Sequence, residues 1–546
     1  MVKREDPSSA GTNPCTAKKG RFFLYALVPF FCYTCLSSCH ITTLPVETRT
    51  ITRIALEDSI RGGWAGKMVG VAYGSPTEFS FNGMINESEL PPWRPETVEN
   101  AIHQDDLYVG MTMSETMDRL GLDATTEQFG EAFKNSQYDL WHANASARRL
   151  LNLGIKAPLS GHPRYNVHAN DIDFQIEADF IGMMCPGLPQ ESNKYGERVG
   201  RVMNHGDGLY GGLFLDGMYT AAYFEKDVRK VVETGLACIP AESEYGQVIR
   251  DLLAWSAQNP GDWKKAWRLI EEKWDKNDAC PDGALRPFNI DAKINGAYVV
   301  LGLLYGEGDF GKTLEISTRA GRDSDCNPSS AAGVLGVMVG YRAIPEVWKS
   351  GIPALADTKF EFTNSSFNDI SDATLARALK VIRSAGGKVS ETEVAIPRQR
   401  TIPAKLEQWD MGVPDRRIDF KEPAWDWKNK ENHWKEGTDG EGYGKVIGMM
   451  AVDAGAEAVL TFTGSAVSIQ GALTQDGGRA DVFVDGKKDR PLDAYVGPHT
   501  YDFSLWHVYG LKQGRHAIRI VAREDADSRS MGHKILISEA VVFRDR

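Results

Sequence analysis

The sequence has no apolar run long enough to cross a bilayer, no internal repeat, no low-complexity tract and, beyond residue 39, no C-x-x-C pair. It also has no basic excess: 62 Lys and Arg stand against 74 Asp and Glu, a formal charge of −12. The first absence excludes a multi-span membrane protein, because a spanning helix needs about 20 apolar residues. The second removes the electrostatic footprint of a nucleic-acid binder, so no nucleic-acid partner is expected. Coiled-coil, collagen-like and disordered classes are excluded by composition as well. What is present is ordinary globular material, 42% hydrophobic and 25% charged over 546 residues.

Cysteine is sparse in the body of the chain. Cys185, Cys238, Cys280 and Cys326 are far apart, so neither a zinc motif nor a disulfide framework is indicated, although spacing leaves one bridge open. The other four lie at the N-terminus. Lys18, Lys19 and Arg21 precede the apolar run Phe22–Leu36, which at fifteen residues reads as a signal h-region rather than a span. Leu36-Ser37-Ser38-Cys39 resembles a bacterial lipobox, which implies a lipidated Cys39; secretory cleavage nearby is the alternative. Residues 1–38 are therefore expected to be a lipoprotein signal peptide and 39–50 a tether. Removing 1–38 takes away five basic and two acidic residues and moves the charge from −12 to about −15. The expected location is the bacterial cell envelope, at the outer membrane or cell surface, with the lipid as the only membrane contact.

From 51 to 395 the pattern is helical, broken by Gly-rich and Asp-rich loops. Trp263, Trp267, Ile270 and Trp274 mark one amphipathic helix, whose stripe reads as core packing rather than a sugar platform. Segments 206–224, 294–306 and 327–340 are rich in small residues. Glycine inside a helix costs about 1 kcal/mol against alanine, so these glycines point to closely packed inner helices. Asn327 and Pro328 suggest an N-cap and first-turn pair for the last of them. After about residue 395 the period changes to two, in AVLTFTG (458–464), AVSIQG (466–471), ADVFVDGKK (480–488) and HAIRIVA (516–522), with a hairpin signal at Asp485-Gly486. The expectation is an all-α domain over 51–395 followed by an all-β jelly-roll sandwich over 400–546.

Three acidic clusters could carry chemistry. Asp105 and Asp106 form the first. Asp323 and Asp325 form the second, in a loop that enters a small-residue helix. Two carboxylates at the mouth of a buried helix repel unless a cation neutralises them, and hard cations are the usual partners of clustered oxygens. The third contains Asp171, Asp173, Glu177 and Asp179. Asp173 and Glu177 are i, i+4, a mildly destabilising like-charge pair that suggests a ligand, an arginine or a solvated face. Asn204, His205 and Asp207 open another inner helix and are candidate hydroxyl-binding groups, with a tight structural turn as the alternative.

The segments GVAYGSPTEF (70–79), HQDDLY (103–108), DFQIEADF (173–180), HGDGLYGG (205–212) and the run 294–336 resemble, in this order, the ADP-ribosylglycohydrolase family. That resemblance implies an all-helical fold in which paired aspartates hold magnesium ions against a ribose-type substrate. Carried over by motif, Asp105, Asp106, Asp323 and Asp325 are the metal ligands and Glu78 is the glutamate near the anomeric bond. Val71, Gln104 and Cys326 depart from the family pattern, where Asp, Thr and Thr are common. A thiol is a poor magnesium ligand, so one ion or two, with Ca²⁺ or Mn²⁺ as alternatives to Mg²⁺, are all compatible. Cys326 as a nucleophile has no histidine near it in sequence to support it.

The C-terminal stretches around 467–488 and 511–522 resemble a galactose-binding-like jelly roll. It could bind glycan through its aromatics or only brace the enzyme. The combination implies an exported, metal-dependent glycoside hydrolase acting on an extracellular carbohydrate. Glu78, Asp106 and Asp173 are the catalytic candidates, and Asp171, Glu177, Asn204, His205 and Asp207 the substrate-binding ones. An ADP-ribosyl hydrolase with an exported substrate and a non-catalytic glycan-binding lipoprotein are the alternatives. The sequence does not indicate an oligomeric state.

Overall fold

Two antiparallel helices form the spine, and glycine makes their approach possible. The helix Arg53–Gly74 carries Gly62, Gly66, Gly70 and Gly74 on one face, and it lies against the helix Cys326–Val339. A Cβ on Gly66 would sit 2.0 Å from the Ala332 carbonyl oxygen, and one on Gly74 would sit 2.0 Å from that of Ser324. Backbone therefore touches backbone along the whole length. Because the pairing runs from Gly62 with Gly336 to Gly74 with Ser324, the C-terminal end of one helix meets the N-terminal end of the other. Glu78 is thereby delivered to the loop that holds Asp323 and Asp325.

This computed structural model describes residues 47–546 apart from 277, 289, 408, 442–443 and 498–500. The expected signal peptide (1–38), the expected lipidation site Cys39 and most of the expected tether lie outside the described residues. Among the described residues, no helix is long and apolar enough to cross a membrane. The tether expectation needs one correction. Residues 48–50 belong to the strand Thr48–Thr52, which pairs antiparallel with Glu393–Pro397, with Lys388–Val389 as the third strand. The first and last segments of the helical part are zipped together, so that part is not purely α.

Around the spine stand the helices expected from pattern, including Asp207–Ala222, Trp263–Trp274 and Ala292–Gly306. Trp267 and Ile270 are buried in the core, with Trp263 and Trp274 packed against it, as the stripe required. One expected cap differs. The helix Cys326–Val339 begins before Asn327, with Asp325 as its N-cap, so Pro328 sits two residues further into the first turn than the Asn-Pro pair suggested.

The C-terminal part is a sandwich of two antiparallel sheets with a core of its own. Asp485 and Gly486 both have positive φ and turn Gly478–Val484 into Lys487–Lys488, the hairpin read from the sequence. Trp425, Trp434 and Trp506 are buried in this core. The sandwich packs on the helical part: Ala466, Val541 and Phe543 meet Ala284, and His507 Nε2 lies 3.0 Å from the Pro163 carbonyl. Arg417 donates to the carbonyls of Pro281 and Ala284 at 2.7 and 2.8 Å.

Candidate metal centre

The loop between Gly321 and Cys326 is held in place by its neighbours before any ligand is considered. Gly321 and Arg322 have positive φ, which turns the chain sharply into the helix. Arg322 N–H donates to Phe81 O at 3.1 Å, and Asp323 N–H donates to Asn295 Oδ1 at 3.3 Å. The Ser324 and Thr77 hydroxyls meet at 2.9 Å and tie this loop to the turn that precedes Glu78. The Arg322 guanidinium is directed elsewhere: it pairs with Glu271 and Asp275 at 3.0 and 2.6 Å and donates to Phe288 O. Arg322 is therefore not the counter-ion of its neighbours Asp323 and Asp325.

Carboxylates from three segments meet here. Oxygens of Glu78, Asp323 and Asp325 lie within 4.8 Å of one another, and so do ligand atoms of Asp106, Asp325 and Cys326. Asp105 opens the helix Asp105–Leu120, where Asp106 N–H donates to its Oδ1 at 3.1 Å. Burial pushes the Asp105 carboxyl up to about 8, aided by the charges of Asp106 and Asp325. Burial, followed by Asp325 and Asp105, raises Glu78 to about 10, and Asp323 is raised well above the usual range by burial and Asp325. Such a set is stable only with protons or with a cation. Asp106 Oδ1, Asp323 Oδ1 and Asp325 Oδ1 are buried and have no hydrogen-bond partner. Two groups of ligand atoms that share Asp325, with unpartnered buried oxygens on Asp323 and Asp325, offer the oxygen donors a hard divalent cation takes, so these residues fit one.

Lys67 borders the centre. This residue is buried, with its Nζ 2.5 Å from Asp179 Oδ2, 2.7 Å from Ile176 O and 3.6 Å from Asp106 Oδ1. Burial opposes its charge, but Asp179 and Asp106 outweigh burial and hold the ammonium protonated. Sequence reasoning missed this group, although a lone lysine in the run GGWAGKMVGV was its signal. The departures from the family pattern are all accommodated. Val71 is buried in the core, Gln104 bonds to Asn100, and Cys326 Sγ donates to Asp106 Oδ2 at 3.0 Å. Burial and the surrounding aspartates raise the Cys326 thiol well above its usual range, which disfavours the thiolate.

The third acidic cluster is not a solvated face. Asp173–Glu177 is a short helix with every residue buried. Asp173 accepts the backbone N–H groups of Asn144 at 2.9 Å and Ala143 at 3.3 Å, which caps the helix His142–Asn152. Glu177 accepts from the Asn144 side chain, and Asp171 lies 2.7 Å from His168 Nδ1. All three carboxyls thus have partners within the fold, with Glu177 Oε2 buried and left without one, and Asp173 serves as a helix cap.

Asn204 is corrected in the same way. Its side chain donates both N–H groups to the carbonyls of Ala169 and Asp171 and accepts from Phe174 N–H, so it holds the buried backbone together and has no donor for a substrate. His205 and Asp207 line a different cavity of about 440 Å³, with Asn170, Lys293, Glu407 and Trp409. None of Glu78, Asp105, Asp106, Asp323 or Asp325 lines that cavity. There His205 Nδ1 lies 3.1 Å from Glu407 Oε2.

Residues 52–383 match the family model of ADP-ribosylglycohydrolase. No curated protein matches the chain in sequence. The solved structure of an ADP-ribosylglycohydrolase-related protein complex is similar over 60% of this chain and 99% of its own, at 15% identity and a TM-score of 0.39. The CBM36-1 domain of a multidomain xylanase from the hindgut metagenome of Trinervitermes trinervoides is similar over 23% of this chain and 94% of its own, at 12% identity and a TM-score of 0.15. A family two carbohydrate esterase from Clostridium thermocellum is similar over 17% and 25%, at 22% identity and a TM-score of 0.13. None of these likenesses reaches a TM-score of about 0.5, so membership rests on the sequence match.

Proposed function

The chain belongs to the ADP-ribosylglycohydrolase family, and from that premise we propose that it hydrolyses a glycosidic bond in an extracellular glycan or glycoside, with a divalent cation at the carboxylate centre. The observation that carries this reading is the meeting of two ligand groups at Asp325, one with Glu78 and Asp323 and the other with Asp106 and Cys326, with unpartnered buried oxygens on Asp323 and Asp325. Asp105, Asp106, Asp323 and Asp325 would hold one ion or two. Mg²⁺ is the proposed ion, with Ca²⁺ and Mn²⁺ suited to the same oxygens. When bound, it would supply Lewis-acid character and a grip on vicinal sugar hydroxyls.

Glu78 is proposed as the general acid. Burial is the largest cause of its raised affinity for a proton. Its proton is available to the leaving oxygen of a substrate seated on the aspartates. Asp171, Asp173 and Glu177 are already engaged by His168, Ala143 and Asn144, so they are poorer candidates for that transfer.

The family equally admits an ADP-ribosyl substrate, and one observation weighs against it. A diphosphate calls for basic partners. Lys67 and Arg322, beside the centre, are buried and committed to Asp179 and to Glu271 with Asp275. A neutral glycoside makes no such demand. The sandwich is proposed as a brace, since Trp425, Trp434 and Trp506 are buried and offer no sugar platform. Export and attachment to the envelope through Cys39 are part of the proposal.

Sugar release from a panel of glycans, run beside release of ADP-ribose from modified protein, tests it. The expected result is sugar release that EDTA abolishes and that Asp105→Ala with Asp323→Ala removes. Release of ADP-ribose alone, activity that survives both treatments, or binding without hydrolysis would overturn it.

A further inference from the structure

His142 opens the helix His142–Asn152, His168 lies in the loop before Asp171, and Asp282 lies between the Trp263–Trp274 and Ala292–Gly306 helices. In the fold, one ring nitrogen from each histidine and an oxygen of Asp282 fall within 4.8 Å of one another. His168 is the pivot. Its ring is 1% exposed, its Nδ1 is 2.7 Å from Asp171 Oδ2, and its Nε2 has no hydrogen-bond partner. A buried ring nitrogen without a partner has given up water and gained nothing in return.

That nitrogen faces Asp282 Oδ2 at 3.9 Å, too far for a hydrogen bond. Two ligands on a tetrahedral zinc ion, with bonds of about 2.0–2.2 Å, stand about 3.4 Å apart, so a shift of about half an ångström closes the site. The carboxylate on the opposite ring nitrogen is the support that metal-binding histidines have, because it fixes the ring and directs the free lone pair. Cys280 Sγ lies 3.4 Å from Nδ1, on that supporting side. Two imidazoles with one carboxylate suit a zinc-class ion, whereas Mg²⁺ and Ca²⁺ take oxygen. No residue is shared with the Asp105, Asp106, Asp323 and Asp325 centre.

We propose that His142, His168 through Nε2, and Asp282 form a second metal site that takes a zinc-class divalent ion, with Asp171 as its positioning residue. The ion cross-links three segments distant in sequence, and one of them is the loop that the sandwich grips through Arg417. It is independent of the proposed hydrolysis, since its test reads metal and not turnover.

The full chain, stripped with a chelator and kept in excess Mg²⁺, is titrated with Zn²⁺ and separately with Co²⁺. Wild type is expected to bind one equivalent of Zn²⁺ that His142→Gln and Asp282→Asn each lack. Co²⁺ should give visible ligand-field bands and histidine coordination that disappear in the same variants. Asp171→Asn should bind about ten- to a hundredfold more weakly. Zn²⁺ should raise the Tm of wild type and leave that of His142→Gln unmoved. His142 and Asp282 are only partly buried, so their variants keep the test valid if His168→Gln does not fold. Equal Zn²⁺ stoichiometry in wild type and both variants, or no Zn²⁺ bound by wild type, would overturn the site.

Discussion

Cys326 Sγ donates a hydrogen bond to Asp106 Oδ2 across 3.0 Å, joining the first turns of two helices 220 positions apart in the sequence. The thiol occupies a place where a hydroxyl is common in the family, and it acts there as a donor. Serine can do the same.

Cys326→Ser is therefore expected to keep glycosidase activity within about threefold of wild type, since a hydroxyl makes the same bond. Loss of a true nucleophile costs about 10⁶-fold. Sugar release by the variant decides between the two. Iodoacetamide at neutral pH should leave the native thiol unmodified and the enzyme active.

The glycine contact along the spine makes a graded prediction. Gly66→Ala places a methyl 2.0 Å from a backbone oxygen, which nothing flexible can relieve. Overpacking of this kind costs about 1–3 kcal/mol or more, and backbone contact puts this case at the upper end. Gly261→Ala, with nothing within 4 Å of its Cβ, is the control and should be close to neutral. Urea denaturation of both variants measures the difference.

Lys67→Met removes the cation from a buried pair whose side chains are 1% exposed on both sides. Although burial raises the Asp179 carboxyl, Lys67 at 2.5 Å makes the ion pair the working description. Removing one partner of a buried pair costs about 3–5 kcal/mol, because the other charge is stranded. Lys67→Met should unfold at lower denaturant by that amount, and adding Asp179→Leu should recover part of it.

Asp207 gives a pH signature. Burial raises its carboxyl from 3.8 to about 7, with Lys293 opposing and Glu244 assisting. The folded chain holds this proton more tightly than the unfolded chain, so stability falls as pH rises from about 4 towards 7. Asp207→Asn should flatten that fall. Denaturation midpoints at pH 5 and pH 8 for the two proteins check it, and an equal drop in both would refute it.

The carboxylate centre was legible because each half is a local motif. Asp105-Asp106 and Asp323-x-Asp325 are adjacent or nearly so, and the helix that follows the second pair announces itself by its small residues. The helical class and the sandwich followed from a change of period near residue 395. What could not be read was the use of polar groups across long separations. The spacing of Asp173 and Glu177 left a ligand, an arginine or a solvated face open, whereas both bond to Asn144, about 30 positions away. Asn204 looked like a ligand group and is spent on the backbone of 169–174. The His142, His168 and Asp282 grouping has no spacing signature at all, because a loop, a helix start and a second loop supply it.

The strand Ala466–Leu473 is buried at all eight positions, although a sandwich strand ordinarily shows one face to water. A module that can be traded between proteins has to leave a wettable surface when it departs. This one would not: cutting the chain in the 398–412 connection would bare apolar surface on the sheet and release the Pro281–Ala284 loop from Arg417. The sandwich and the helical part should therefore melt in one transition and be inherited as one piece, and a truncated enzyme should aggregate where a modular one would stay in solution.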